Sequence, residues 1–503
     1  MTATAASAAS GQPVRRRFGI RTLPGWLVAA LLLLAGYALD HHPRFMLGDS
    51  ESYLRSGLGG FYPPDRSWIY GVLVREIVSR THSLQTYILL QLVGVLSLGL
   101  LAVRRLGAGR RPVMASAWLL AALCCDPLVQ AYARFYLSDL SAALLFAAFV
   151  VQLAGLPTGA CKVGAWTGLA ACGVGAILCR IAYAPIEVVT VALCLAAGLL
   201  RRDRRAVVLL LPSLLVPVAG GGVLAAANHV VFARQYPGEI FLNRFSGIFL
   251  MSVFSPAITA PDIRSAGIAV TDDEVRDMRL EDYDLRTDQI WGTEPYWLRN
   301  RILSSLHAQG YDARADHTAS RIVHAAFRRD PAAFVRVYAN GLLLYAEPSE
   351  WAHHLITEMG MDRALDDSFV GLVGGWVPHA LTPRRAFKPS LWPLLLTATI
   401  RLYATLLAIG LFGALWMLAT TRDRAIRAVS AGLVADLLTV PLYSSYVIPR
   451  YLLAAVLLGW CLLWLLGSGR RPVQAVATQP AYPEEHEARL ELIGSSGRPP
   501  GLR

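Results

Sequence analysis

Apolar residues run along this chain in long blocks, separated by short polar stretches rich in arginine. The blocks fall at 26–39, 84–103, 113–130, 139–157, 163–179, 184–200, 206–231, 391–419, 429–446 and 451–467. Each comes near the roughly 20 residues that a helix needs to cross a bilayer. Within them the apolar run is continuous rather than one-sided, which suits helices surrounded by lipid and by other helices. Two stretches break the pattern. Residues 42–83 form a loop in which Trp68 to Val78, after Pro63-Pro64, is amphipathic and predicts a helix lying on the membrane surface. Residues 232–390 are hydrophilic and long enough for a small domain. They contain helix-like runs at Ala315 to Arg329 and Pro331 to Tyr345, the second opening on the proline that helix N-termini favour. The prediction is an all-α polytopic membrane protein of about ten transmembrane helices, with a mainly helical segment between spans 7 and 8.

Composition agrees. Of 503 residues, 55% are hydrophobic and only 16% charged, and the mean hydropathy is +0.44. A soluble chain of that length needs more charge to cover its surface. A net charge of +12 raises nucleic acid as a partner, but the arginines sit between apolar blocks, where they set topology. With the N-terminus inside, the inner loops hold Arg104, Arg105, Arg110, Arg111, Lys162, Arg201, Arg202, Arg204, Arg205, Arg422, Arg424, Arg427, Arg470 and Arg471. The short outer loops hold only Arg134, Arg180 and Arg450. The longer first outer loop also has Arg44, Arg55, Arg66, Arg75 and Arg80.

The resulting map has a cytoplasmic N-terminus (1–22), a seven-span module (23–231) and an extracytoplasmic segment (232–390). A three-span module (391–467) and a Pro-, Gly- and Glu-rich disordered cytoplasmic tail (468–503) follow. The expected location is a bacterial inner membrane. The first span lacks a small-x-small cleavage site and reads as uncleaved, and the pair flanking Arg180 also suits a re-entrant hairpin. The seven cysteines lie in or beside apolar segments without a CxxC pair, so neither zinc nor a disulfide framework is indicated.

Candidate chemistry gathers at the predicted outer face. Gly48-Asp49-Ser50-Glu51-Ser52-Tyr53 follows the first span. Its two acids read either as hydrated loop residues or as catalytic carboxylates, since charge at the lip of a bilayer is costly unless paired, hydrated or used. Asp139, after Arg134-Phe135-Tyr136-Leu137-Ser138, is either a helix-capping acid or a reactive one. Arg180 ends span 5 and Arg450, in Tyr446-Val447-Ile448-Pro449-Arg450-Tyr451, begins span 10. Both either snorkel into headgroups or grip a phosphate by paired hydrogen bonds. His41-His42 and His353-His354 read as exposed or interfacial residues rather than metal ligands.

These residues and their layout resemble the GT-C superfamily, the polytopic glycosyltransferases that include the protein O-mannosyltransferase and aminoarabinose-transferase families. Asp49-Ser50-Glu51 is similar to the first-loop acidic motif, Asp139 to the second-loop acid and Arg450-Tyr451 to a late phosphate-side arginine. A serine separates the acids where several members have an Asp-Glu pair, which leaves open which carboxylate is the base. The resemblance implies a sugar transferase using a polyprenyl-phosphate sugar donor and a glycan, lipid or protein acceptor. Asp49, Glu51 and Asp139 would be its acids, and Arg450, Arg180 and Arg134 its phosphate-binding groups. A divalent cation (Mg or Mn) on the three acids stays open. The alternative is a transporter or flippase, which favours mid-span ionisable groups and broken helices. Only Asp436 is such an acid, although Pro212, Pro217 and Gly220-Gly221-Gly222 interrupt span 7. A non-catalytic export-assembly subunit is a further reading, and no internal repeat supports a transporter.

Overall fold

The computed structural model describes residues 23–46, 49–63, 66–107, 113–156, 163–243, 246–278, 312–358, 367–377, 391–444 and 447–468. The proposed N-terminus (1–22), the tail after Ser468 and parts of the 232–390 segment lie outside the described residues. The chain is all-α: among the described residues there is no strand, only a lone bridge between Arg44 and Phe135. Backbone polar groups in a bilayer must be satisfied within the segment, and helices do this.

The membrane bundle starts with α1 (Leu23–Leu39), followed by α2 (Asp49–Gly59) and α3 (Trp68–Thr81) in the first outer loop. It continues with α4 (Leu84–Leu106), α5 (Val113–Cys125), α6 (Pro127–Tyr132), α7 (Ser138–Ala154), α8 (Val163–Cys179), α9 (Tyr183–Leu200), α10 (Arg204–Leu210) and α11 (Leu215–Val231). Beyond the hydrophilic segment come α19 (Leu391–Thr420), α20 (Arg424–Thr439) and α21 (Leu453–Gly467). Among the described residues six helices are long and apolar enough to cross a membrane, and Gly25–Leu39, Ala115–Cys125, Ser138–Ala154, Val163–Cys179 and Ser246–Ala257 are shorter apolar helices. The ten expected crossings fall on ten of these eleven, the exception being Ser246–Ala257 in the hydrophilic segment.

Contacts at the helix ends show the alternation directly. At one end Gly25 sits against Ala117 and Gly155 against Arg105, Arg201 binds the Leu418 carbonyl, and Arg424 binds Asp203. At the other, Tyr136 bonds the Leu84 carbonyl, Trp68 reaches Asn228, Tyr443 reaches the Ala182 carbonyl, and the Trp392 indole donates to the Gly36 carbonyl. The segments around Arg180 are two full helices rather than a re-entrant hairpin. Pro212 falls in a 3-10 turn, Leu211–Leu214, that joins α10 to α11. Asp436, fully buried, accepts the Ala455 amide at 2.9 Å and so pins α20 to α21.

Between spans 7 and 8 the described helices are α12 (Ser246–Phe254), α13 (Ala260–Ser265), α14 (Asp272–Met278), α15 (Asp312–Arg329), α16 (Pro331–Tyr345), α17 (Pro348–Glu358) and α18 (Asp367–Trp376). α12, α13 and α15 share a small apolar core of their own, with Met251, Ile263, Ile322 and Phe334. Arg329 seals it by pairing with the buried Asp262 at 2.9 Å. α16 attaches this segment to the bundle: Tyr338 donates to the Leu438 carbonyl at 2.7 Å and the Ile448 amide donates to Tyr345 at 3.1 Å. His354, read from sequence as exposed or interfacial, is buried 3.4 Å from Glu350.

Candidate functional site

Three local devices bring the acids and arginines together. The first is the bridge after α1. Arg44 donates its amide to the Arg134 carbonyl at 2.8 Å, and the Tyr136 amide donates to the Arg44 carbonyl at 3.2 Å. This lays the strand-like run before α2 beside the run before α7, so the first turns of the two helices, with Asp49 and Asp139, become neighbours. The second is the cap of α2: the Met46 amide donates to Ser50 Oγ at 2.9 Å and the Ser50 amide to the Met46 carbonyl at 3.0 Å. Acids in a first helical turn are favoured by the helix dipole. The third is a glycine crossing. A Cβ on Gly57 would sit 2.2 Å from the Gly71 carbonyl oxygen, and one on Gly71 would sit 2.9 Å from the Tyr53 carbonyl oxygen. α2 and α3 touch backbone to backbone there, which places Arg66, just ahead of α3, against Asp49.

The cluster is a chain of ion pairs. Asp49 takes Arg66 Nη1 on one oxygen at 2.8 Å and Arg450 Nη2 on the other at 2.8 Å. Arg450 Nε lies 3.7 Å from Asp139 Oδ1, and Arg180 Nη1 pairs with that same oxygen. Arg450 also points a nitrogen at the Met46 sulfur. The Tyr451 ring packs under both arginines, its centroid 4.1 Å from the Arg180 guanidinium and 5.3 Å from that of Arg450, distances at which cations favour aromatic faces. Beneath Asp139 the hydroxyls of Tyr53 and Ser138 meet at 2.8 Å, and Arg66 stands over the Tyr53 ring. The Asp139 and Arg450 side chains are each only 4% exposed, whereas Asp49 is 28% and Arg180 21% exposed, so the cluster is reached from its two ends.

Its electrostatics are lopsided. Among the described residues three guanidiniums face two carboxylates, a surplus of one positive charge. Burial by itself raises the Asp49 carboxyl, but Arg450, then Arg66 and Arg180, outweigh it and hold the group below the usual carboxylate range. Burial pushes the Tyr53 hydroxyl up, partly offset by Arg66, so it stays a neutral phenol. A site of this composition has what a bound phosphate needs: oriented N–H donors, an unbalanced positive charge, and a carboxylate that remains ionised.

Of the residues singled out in the sequence, the structure brings together Asp49, Asp139, Arg180 and Arg450. It does not bring Glu51 or Arg134 to them. Asp49 and Glu51 lie in a helix rather than a loop, and residues two apart on a helix point about 200° apart. Glu51 is held at 2.7 Å by Arg55, whose guanidinium also reaches Ser368 on α18 at 2.6 Å.

Arg134 is wholly buried and ties helix ends together. It donates to the Asp40 carbonyl at 2.7 Å, the Gly36 carbonyl at 3.0 Å and the Gln130 side chain at 3.1 Å. It also lies 3.4 Å from the buried Asp40 carboxylate. Its expected phosphate role is thus replaced by a clamp on the ends of α1 and α6.

Arg66 escaped sequence reading because it was one of five arginines in a long loop. Only the Gly57–Gly71 contact distinguishes it. A three-acid cation site is not fitted either. Asp49 and Asp139 are engaged by guanidiniums, Glu51 lies elsewhere, and among the described residues no three His, Cys, Asp or Glu side chains gather as ligands. No step is therefore derived through a metal.

No known family profile matches the chain, and no curated protein matches it. Among solved structures it is similar to ArnT from Cupriavidus metallidurans in the apo state, with a TM-score of 0.31 and 14% identity over 84% of this chain and 77% of that one. The same protein bound to undecaprenyl phosphate gives a TM-score of 0.28 and 13% identity over 84% and 77%. A likeness this slight carries no chemistry from one chain to the other.

Proposed function

We propose that this protein is a glycosyltransferase that takes a sugar from a polyprenyl-phosphate donor and passes it to a hydroxyl on a glycan, lipid or protein. The observation that carries the reading is the Asp49–Arg450–Asp139–Arg180 chain at one end of a membrane bundle. A lipid-phosphate sugar is a phosphodiester with one negative charge, which suits the surplus of one positive charge in the cluster. Its polyprenyl tail can remain in the bilayer while its phosphate meets the arginines. Placing this end outside the cytoplasm follows the arginine asymmetry between the two ends and belongs to the same proposal.

In the reaction, the acceptor oxygen forms a bond to the sugar's anomeric carbon as the bond from that carbon to the phosphate oxygen breaks. The electron pair leaves with the phosphate, which goes from one negative charge to two. The acceptor's proton goes to Asp49. Arg180 and Arg450 stabilise the growing phosphate charge, and Asp139 orients both.

One consequence concerns Asp49. A carboxylate gripped by two guanidiniums is a weak base, but donor phosphate competes for Arg450. As Arg450 turns toward phosphate, its hold on Asp49 slackens and the carboxylate becomes more basic. The donor thereby switches on the base that deprotonates the acceptor. The test is sugar transfer by purified protein in lipid nanodiscs, followed as release of polyprenyl phosphate. Asp49→Asn should abolish transfer while leaving expression, membrane insertion and donor binding intact. Wild-type transfer in that variant removes Asp49 from the mechanism.

A further inference from the structure

We infer that the end of the bundle opposite this cluster carries a binding pocket for an anionic phospholipid headgroup, built on Arg424 and Arg427. The inference stands apart from the transferase proposal, since none of its residues touches the acidic cluster.

A shallow cleft, partly open to solvent, lies where α7, α9, α10 and α20 meet. Leu153, Leu156, Cys194 and Leu210 supply apolar wall, and Arg424 and Arg427 supply the charge. Arg427 is the telling residue. Its side chain is 6% exposed, and Nη2 stands 3.7 Å from the Asp203 carboxylate. Nη1 is buried with no hydrogen-bond partner among the described residues. A buried guanidinium nitrogen left without an acceptor is costly, and the Arg427 side chain that carries it lines the cleft. Asp203 is also shared with Arg424, at 3.3 Å to each carboxylate oxygen.

The surroundings add positive charge. Arg201 lies close enough to Arg427 and Arg422 to feel both charges. It spends Nη2 on the last carbonyls of α19, while its Nη1 is buried without a partner among the described residues. The other nearby acid, Asp423, accepts the Ala425 and Ile426 amides at the start of α20. Among the described residues four guanidiniums thus gather near two carboxylates. A free phosphate would satisfy the arginines but leave the leucine walls against water. A phospholipid places its phosphate on the arginines and its first acyl carbons on those walls, and these helix ends lie where headgroups are. Basic pockets between membrane helices bind acidic headgroups in this way.

The test uses the full-length, delipidated protein in detergent, with thermal unfolding followed against phosphatidylglycerol, phosphatidylcholine and inorganic phosphate. Phosphatidylglycerol should raise Tm saturably, and the other two should not at equal concentration. Arg427→Met removes the charge but keeps much of the side-chain volume. It should fold, keep the unliganded Tm, and weaken half-saturation by phosphatidylglycerol about tenfold or more. Arg424→Gln, at a half-buried position, should weaken it likewise and serves if the first variant yields no folded protein. Equal shifts from the two lipids, or unchanged half-saturation in the variants, overturn the pocket. A shift from inorganic phosphate matching that of phosphatidylglycerol overturns the lipid as occupant in favour of a small anion.

Discussion

Replacing Arg450 with glutamine is the most informative single change. Its guanidinium is the link between the acids, 2.8 Å from Asp49 and 3.7 Å from Asp139, in a side chain 4% exposed. Breaking a buried ion pair on one side costs about 3–5 kcal/mol. Here each acid keeps another guanidinium, Arg66 for Asp49 and Arg180 for Asp139, so the cost to the fold belongs near the lower end, about 3 kcal/mol. Transfer should suffer separately. A charge-assisted contact to the donor phosphate contributes about 1.5–3 kcal/mol, a rise in donor KM of about 10- to 150-fold. Loss of a group that stabilises the leaving charge lowers kcat by a further factor on the order of 10²–10³. Steady-state transfer against donor concentration, with Tm measured on the same preparation, separates the two effects. Arg134→Gln is the control: it should lower Tm through loss of the clamp on α1 and α6, yet leave the donor KM of the folded fraction near wild type. An Arg450→Gln variant with KM and kcat both within twofold of wild type, or an Arg134→Gln variant matching its kinetic loss, refutes the assignment.

Further outcomes follow from the same geometry. Gly57→Ala drives a methyl to 2.2 Å from the Gly71 carbonyl oxygen, which should cost about 1–3 kcal/mol of stability by overpacking and slow transfer by shifting Asp49 from Arg66. Gly222→Ala, with nothing within 4 Å of the added carbon, should lower neither Tm nor rate, and equal losses in the two variants contradict the close helix crossing. The pH profile has a sign. Arginine partners hold free Asp49 below the usual carboxylate range, so its ionised form survives acidification and kcat/KM should stay level down past about pH 4. With donor bound, Arg450 is drawn to phosphate and the Asp49 carboxyl rises, so the acid limb of kcat should fall at higher pH than that of kcat/KM. Coincident limbs, or the reverse order, count against donor activation of the base.

Much of this architecture was legible in the sequence, because lipid imposes a length and a polarity on each span. The ten apolar blocks, the helix at Trp68, and the helices ending at Arg329 and Tyr345 all appear near their expected bounds. Alternation then put Asp49, Asp139, Arg180 and Arg450 at one end, and the structure places them in contact. What failed was what depends on rotation and on tertiary backbone. Glu51 was paired with Asp49 by spacing, but a helical turn sends the two acids to different faces. Arg134 was expected to bind phosphate with Arg180 and Arg450, but its acceptors are the carbonyls of Gly36 and Asp40, nearly a hundred residues earlier in sequence. Arg66 carried no signal of its own, and its role follows from two glycines whose close approach no local pattern records. Asp436, the acid that kept a transporter in view, is used to join two helices.

The account rests on phosphate meeting Arg450 and Arg180 beside Asp49. Cryo-electron microscopy of the protein in nanodiscs with saturating polyprenyl phosphate tests this directly. Phosphate density should lie within hydrogen-bond distance of the Arg450 and Arg180 guanidiniums, with the lipid tail leaving between helices into the bilayer and Arg450 drawn away from Asp49. Phosphate bound elsewhere on the protein, with the Asp49–Arg450–Asp139 chain undisturbed, contradicts it.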